Sequence, residues 1–122
     1  MAVELYPVSV LSGLKRYIDR DSDATPENDI NAGAFTVYQI IIDNILNTSQ
    51  KVYSKFYDAA APTVGTTAPY MIIKTPGGLS RTWFFLEGIP FATALSFATV
   101  TAGGTAGAVS PTSDVIVTIF GA

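Results

Sequence analysis

The chain contains neither cysteine nor histidine among its 122 residues. The absence of cysteine excludes disulfide bonds, thiolate metal ligands and thiol nucleophiles. The absence of histidine removes the side chain that most often serves as a general base and most often binds a transition metal. Ser–His–Asp and Cys–His catalytic sites therefore cannot be built from this sequence.

Charged residues are also scarce, at 14% of the chain against roughly 25% in an average soluble domain. Because hydrophobic residues make up 48%, few polar groups are left to cover the surface. We therefore expect some apolar surface to be buried against partner subunits. A formal net charge of −3 with seven basic residues argues against a nucleic-acid partner, which would need a clustered basic face.

Two segments raise the question of membrane targeting, and neither supports it. The N-terminal MAVELYPVSV has no basic region followed by an apolar core, so we expect no secretory signal. Residues 83–102 are apolar, but Glu87, Gly88 and Pro90 interrupt them. A turn between two strands explains this segment better than a membrane span does.

The clearest periodicity lies between Phe35 and Ala60, where apolar and polar residues alternate on either side of a polar turn at Asn47–Gln50. This pattern predicts two strands, at 35–43 and 52–57, joined as a hairpin. Further strands are predicted at 70–75, 80–86, 89–101 and 114–120, with turns at 76–78 and 87–88. The strand at 80–86 has aromatic side chains on both sides, which indicates cover by the core on one side and by a loop or a subunit on the other.

No segment shows a sustained helical period, and six to eight short strands predict an all-β, single-domain antiparallel β-sandwich or jelly roll. We divide the chain into residues 1–18 (an extended N-terminal arm or an edge strand), residues 19–33 (an acidic loop) and residues 34–122 (the sandwich). Pro7 favours an edge strand or an arm over a central strand. An apolar arm would lie on a neighbouring subunit.

The segment 19–33 holds half of the acidic residues and begins with a D-x-D-x-D pattern, which is typical of calcium loops. Counted from Asp19, however, the sixth position is Ala24 instead of glycine and the twelfth is Ile30 instead of glutamate. A solvated loop is the preferred interpretation of Asp19–Asp29, with a weak cation site as the alternative.

The remaining candidates for chemistry are weak. A carboxylate pair would have to be drawn from Asp43, Asp58, Glu87 and Asp114, which all lie at predicted strand ends or turns. The glycines at 103–107 are followed by no lysine and no helix, so they are not a phosphate loop. We predict no catalytic residue, no cofactor and no metal site. Aromatic side chains at Tyr53, Tyr57, Tyr70 and Trp83 favour core or interface packing over a platform that stacks carbohydrate.

One part of the chain resembles a known family. From Val52 onward it contains VYSKFYDAAAPTVGTTAP, a strand, a Pro-Gly-Gly turn, a strand with an apolar end, GIPFATALSFATVT, a Gly/Ala loop and SDVIVTIF. The phrase FYDAAAPTVGTTAP at 56–69 is the most specific of these. With the preceding strand and Asn-Thr-Ser turn, residues 35–122 resemble small virion structural proteins of tailed phages.

The resemblance implies a non-enzymatic β-sandwich that binds and stabilises the assembled head as a capsid decoration or cement protein. It implies the head exterior as location, the major capsid protein as partner, and a homo-oligomer, favouring a trimer. A tail, neck or baseplate component of the same virion is the alternative, and a carbohydrate- or receptor-binding sandwich is a third hypothesis. The residues predicted for an interface are Val3, Leu5, Tyr6, Pro7, Val8, Tyr53, Tyr57 and Trp83.

Overall fold

A computed structural model describes residues 3–7 and 13–122 of the chain. These residues form eight strands and no helix. The strands are β1 (Val3–Pro7), β2 (Lys15–Ser22), β3 (Phe35–Asp43), β4 (Val52–Asp58), β5 (Met71–Thr75), β6 (Ser80–Phe91), β7 (Leu95–Val100) and β8 (Val115–Gly121). The β-branched and aromatic residues that occupy them suit a pleated, half-buried surface.

The strands build two antiparallel sheets, one of five strands in the order β1-β2-β8-β3-β6 and one of three in the order β5-β4-β7. This confirms the predicted all-β sandwich. Side chains from both sheets fill the core, with β3, β7 and β8 supplying most of them: Phe35, Val37, Ile40, Ile42, Leu95, Phe97, Val115, Val117 and Ile119. A buried hydroxyl bridge joins the sheets, since Thr99 Oγ1 lies 2.7 Å from Ser22 Oγ and 3.2 Å from Ser54 Oγ.

The predicted hairpin of β3 with β4 is wrong, because the two strands lie in different sheets. β3 pairs with β6 and β8, whereas β4 pairs with β5 and β7. Two buried asparagines hold the crossing between the sheets. Asn47 Nδ2 donates to Asn44 Oδ1 (2.8 Å), and Asn44 Nδ2 donates to the carbonyl of Gln50 (2.9 Å). These bonds satisfy polar groups of the connection between the two sheets.

The predicted chain reversal at Glu87-Gly88 is also wrong, because β6 continues to Phe91. The chain instead reverses between β6 and β7, where the Asp58 carboxylate accepts hydrogen bonds from the amides of Ala92 (3.3 Å), Thr93 (2.8 Å) and Ala94 (3.2 Å). Asp58, considered above for catalysis, therefore stabilises a turn.

The N-terminal segment forms an edge strand where it is described. β1 pairs antiparallel with β2 from Val3 opposite Asp19 to Pro7 opposite Lys15. Of the two alternatives for residues 1–18, the described part therefore takes the edge strand. β2 continues to Ser22, so Asp19 and Asp21 belong to a strand and the loop begins later than predicted.

Candidate binding surface on the five-stranded sheet

The outward side of the five-stranded sheet is apolar where β6, β3 and β8 lie side by side. Gln39 of β3 is paired with Phe84 of β6 and with Phe120 of β8. In the next row, Ile41 is paired with Thr82 and Thr118 in the same way. Directly paired residues in antiparallel strands place their side chains on one face. In these two rows, the outward side therefore carries aromatic, aliphatic and uncharged polar groups.

Two apolar side chains of β6 on this side are largely exposed to solvent. Leu86 is 98% exposed and Phe84 71% exposed, which is unusual for large apolar residues at neighbouring positions of one surface. They border a groove of about 340 Å³. The seven residues that line it, here called the bare face, are Leu14, Tyr38, Gln39, Phe84, Phe85, Leu86 and Phe120. None of the seven carries a charge.

An irregularity in β6 pushes part of the bare face outward. Phe84 lies opposite Gln39 and Ile89 lies opposite Val37, so residues 85–88 of β6 correspond to Tyr38 alone on β3. Such an excess of residues bends a strand away from its neighbour. It leaves Leu86 projecting into solvent beside the groove.

Gly88 makes this bend possible. Its φ of 79° lies in the left-handed region, which residues with a Cβ avoid. A Cβ at this position would come within 2.5 Å of Thr36 Cγ2 and 2.8 Å of Tyr38 Cε1. Glycine at position 88 therefore allows the Tyr38 ring to lie against β6 and to form one wall of the groove.

The outward side of the three-stranded sheet differs, because loops of the same chain cover it. The side chains of Lys55 and Tyr57 are fully buried there. Lys55 Nζ donates to the carbonyl oxygens of Gly107 (2.6 Å) and Thr105 (3.3 Å). We call Tyr53, Lys55 and Tyr57 the covered face. Burial lowers the pKa of Lys55 and raises the pKa of Tyr57, as expected when the charged form is moved away from water.

The residues predicted for an interface are spread over three places. β1, at one edge of the five-stranded sheet, carries Val3, Leu5, Tyr6 and Pro7, and Trp83 lies on β6 at the opposite edge. Tyr53 and Tyr57 belong to the covered face, and Val8 lies outside the described residues. The structure does not bring the described ones together, and their role in an interface stays a prediction. The residues of the alternative carbohydrate platform are likewise dispersed, since Tyr57 is buried and Trp83 lies on the other sheet.

Sequence reasoning missed most of the bare face, although one signal pointed to it. The aromatic residues on both sides of the strand at 80–86 indicated a second cover besides the core. Phe84 and Leu86 are those outward residues, and both are exposed. Leu14, Tyr38 and Phe120 join them only through the pairing of distant strands, which no local pattern encodes.

The acidic segment buries one carboxyl group and gathers no metal site. Asp19 is fully buried on β2, its Oδ1 accepts the Asp21 amide at 3.2 Å, and its Oδ2 has no hydrogen-bond partner. Burial raises the pKa of Asp19 to about 8, and the Glu27 and Asp21 carboxylates add to the rise. Among residues 3–7 and 13–122, no group of three or more acidic side chains is placed to hold a metal ion.

No protein family, curated protein or solved structure matches this chain in the three comparisons made. Within the described ranges there is also no helix long and apolar enough to span a membrane.

Proposed function

We propose that this chain is a non-enzymatic structural protein of a phage particle, a decoration or cement protein that binds the assembled head through the bare face. The observation that carries the proposal is the exposure of Leu86 and Phe84 (98% and 71%) beside an uncharged groove. The resemblance of residues 35–122 to small virion proteins supplies the biological setting, with the major capsid protein as partner and the head exterior as location.

The chemistry of the bare face supports an apolar partner. Burying apolar surface contributes about 25 cal/mol per Å², and a groove without charged lining imposes no cost for stripping water from ions. One such patch gives a weak contact by itself. Repeated on many copies over a shell, however, weak contacts stabilise the whole assembly, because the protein binds only the assembled state.

A tail, neck or baseplate subunit is the second candidate, since a rigid sandwich with one apolar face suits a stacked ring equally well. Copy number separates the two locations. A decoration protein binds at a multiple of the lattice sites of the head, whereas a tail or neck subunit is present in a few copies on each virion.

Co-sedimentation of the purified protein with tail-less shells of its phage tests the proposal. We expect saturable binding to shells, and the decorated shells should disassemble at a higher temperature than bare shells. The double variant Tyr38→Ser with Leu86→Ser removes two apolar contacts from the bare face. It should lower the affinity for shells by roughly 100-fold while the protein stays folded.

A control double variant changes two exposed apolar residues elsewhere on the surface. Leu46 and Val109 are 62% and 67% exposed and do not line the groove. Leu46→Ser with Val109→Ser should leave shell binding unchanged. If both double variants lose the same amount of shell affinity, binding depends on general hydrophobicity, and the role of the bare face is overturned. Absence of shell binding by the unmodified protein, with a few copies on intact virions, would favour the tail or neck.

A further inference from the structure

The free edge of β6 carries an arrangement of charges that the bare face does not explain. β6 is the last strand of the five-stranded sheet and pairs with β3 on one side only. Arg81 and Glu87 are both exposed on it, and neither makes an ion pair within the described part of the chain. Arg81 precedes Phe84 by three residues, and Glu87 follows Phe84 by three.

This spacing is self-complementary about Phe84. If a second copy of the chain adds its own β6 antiparallel to this edge with Phe84 opposite Phe84, Arg81 of each copy lies opposite Glu87 of the other. A shift of the register by a single residue removes both pairings. Oppositely charged residues directly across an antiparallel ladder attract each other, whereas like charges repel.

The irregular segment of β6 would also lie within this pairing. The register of β6 on β3 stops at Phe84 and resumes at Ile89, so residues 85–87 have no paired residue on β3. In the same pairing they would lie opposite residues 81–83 of the second copy. Trp83 and Phe85, which are only partly buried against the core, would face each other across the contact. An apolar centre with charged ends is the usual composition of a specific interface.

We propose that two copies of this chain associate through a two-fold antiparallel pairing of β6 with β6, centred on Phe84. The pairing continues the five-stranded sheet of one copy into that of the other. Because the two-fold axis is perpendicular to the joined sheet, both bare faces point to the same side. Phe84 belongs both to the bare face and to this contact, and the pairing would give each pair of copies two apolar faces for one target.

Charge exchange tests the register. Analytical ultracentrifugation of the unmodified protein should show a concentration-dependent dimer. Arg81→Glu alone, or Glu87→Arg alone, replaces two attractive pairs by two repulsive ones. Each should raise the dimer dissociation constant roughly tenfold or more. The double variant Arg81→Glu with Glu87→Arg restores complementarity and should return the dissociation constant to within a few-fold of the unmodified protein.

Cysteine cross-linking provides a second readout, since the chain has no cysteine of its own. Phe84→Cys should form a covalent dimer on mild oxidation, because directly opposite residues in an antiparallel pair have Cβ atoms about 5 Å apart. Ile72→Cys, on the edge strand β5 of the other sheet, should form no covalent dimer under the same conditions. A monomer at all concentrations, a different oligomer such as the trimer that the resemblance implies, or a double charge variant as weak as the singles would overturn the proposal. Because none of these measurements uses shells, their failure leaves the function proposed above intact.

Discussion

The two sheets of this sandwich treat their outward sides in opposite ways. On the three-stranded sheet, the chain covers its own surface, and the carbonyls of residues 105 and 107 accept hydrogen bonds from the buried Lys55 amine. On the five-stranded sheet, Leu86 and Phe84 remain 98% and 71% exposed. Both outward sides carry aromatic side chains, so composition does not distinguish them.

The contrast shows which surface is available to a partner. Before a partner can bind a face that loops cover, the loops must move away and their contacts are lost. A bare apolar face needs no such step, and covering it with a matching surface is favourable. Tyr53 and Tyr57 are aromatic residues on a strand, as Phe84 is, and sequence reasoning therefore selected them for an interface. The aromatic residues of the two faces differ only in whether loops of the chain cover them.

The largest effect should come from truncating one aromatic residue on the covered face. Tyr57 is fully buried, so Tyr57→Ala should lower the free energy of unfolding by about 3 kcal/mol, in the range for large buried side chains. Leu86→Ala on the bare face should change it by less than about 0.5 kcal/mol, as for exposed positions generally. Urea denaturation of the two variants at low protein concentration makes the comparison.

Two outcomes would break the contrast between the faces. A small effect of Tyr57→Ala would mean that the loops detach readily and that the covered face is accessible. A loss of more than about 1 kcal/mol for Leu86→Ala would mean that another part of the chain, or a second copy, covers the bare face in solution.

Much of the fold was predictable because strands carry their own periodicity. The alternation of Phe35–Asp43 gave the bounds of β3, and the β-branched run before Gly121 gave most of β8. The pairing of strands was less accessible. The alternation of apolar and polar residues in β3 and β4 is the same whether these strands pair with each other or with distant strands. In the sequence, the asparagines of the buried Asn44–Asn47 contact between them are indistinguishable from those of an ordinary polar turn.

The candidate site was less predictable than the fold for two physical reasons. Gly88 indicates a turn in the sequence, yet it allows β6 to bend and return to β3 beside Tyr38. The loop that covers Lys55 consists of small residues without periodicity, so nothing local shows that it packs on a sheet. The difference between a covered and a bare face is therefore tertiary information.

The second-largest effect on stability should come from Asp19, the ionisable group that the five-stranded sheet buries on its core side. The pKa of Asp19 is raised to about 8 in the folded protein by burial, against about 3.9 in an unfolded chain. Between these values the folded state holds a proton that the unfolded state releases, so the free energy of unfolding falls as the pH rises. Asp19→Asn stays neutral and should be more stable than the parent by roughly 2 kcal/mol or more at pH 8–9, with little difference near pH 4.

Asp58 provides a control in which the pH dependence of stability has the opposite sign. The amide of Thr93, followed by those of Ala94 and Ala92, holds the pKa of Asp58 below its ordinary value. The stabilisation from this carboxylate is therefore present at neutral pH and is lost as the pH falls through the lowered pKa. Asp58→Asn should destabilise at pH 7 and converge with the parent in acid. Parallel pH profiles for Asp19→Asn and Asp58→Asn would contradict the burial of Asp19 that the structure shows.

The smallest effect should come from the lysine that holds the loop over the covered face. Lys55→Met keeps the aliphatic length but leaves the carbonyls of Thr105 and Gly107 without their donor, at a cost of about 1 kcal/mol. We expect amide hydrogen exchange of residues 102–109 to become faster, while the rest of the sandwich exchanges as before. Lys74→Met, an exposed lysine on the neighbouring strand β5, should change neither quantity. If Lys55→Met leaves exchange in the loop unchanged, side-chain packing alone covers that face. If the loop opens, one hydrogen-bonding side chain maintains the difference between the covered face and the bare face.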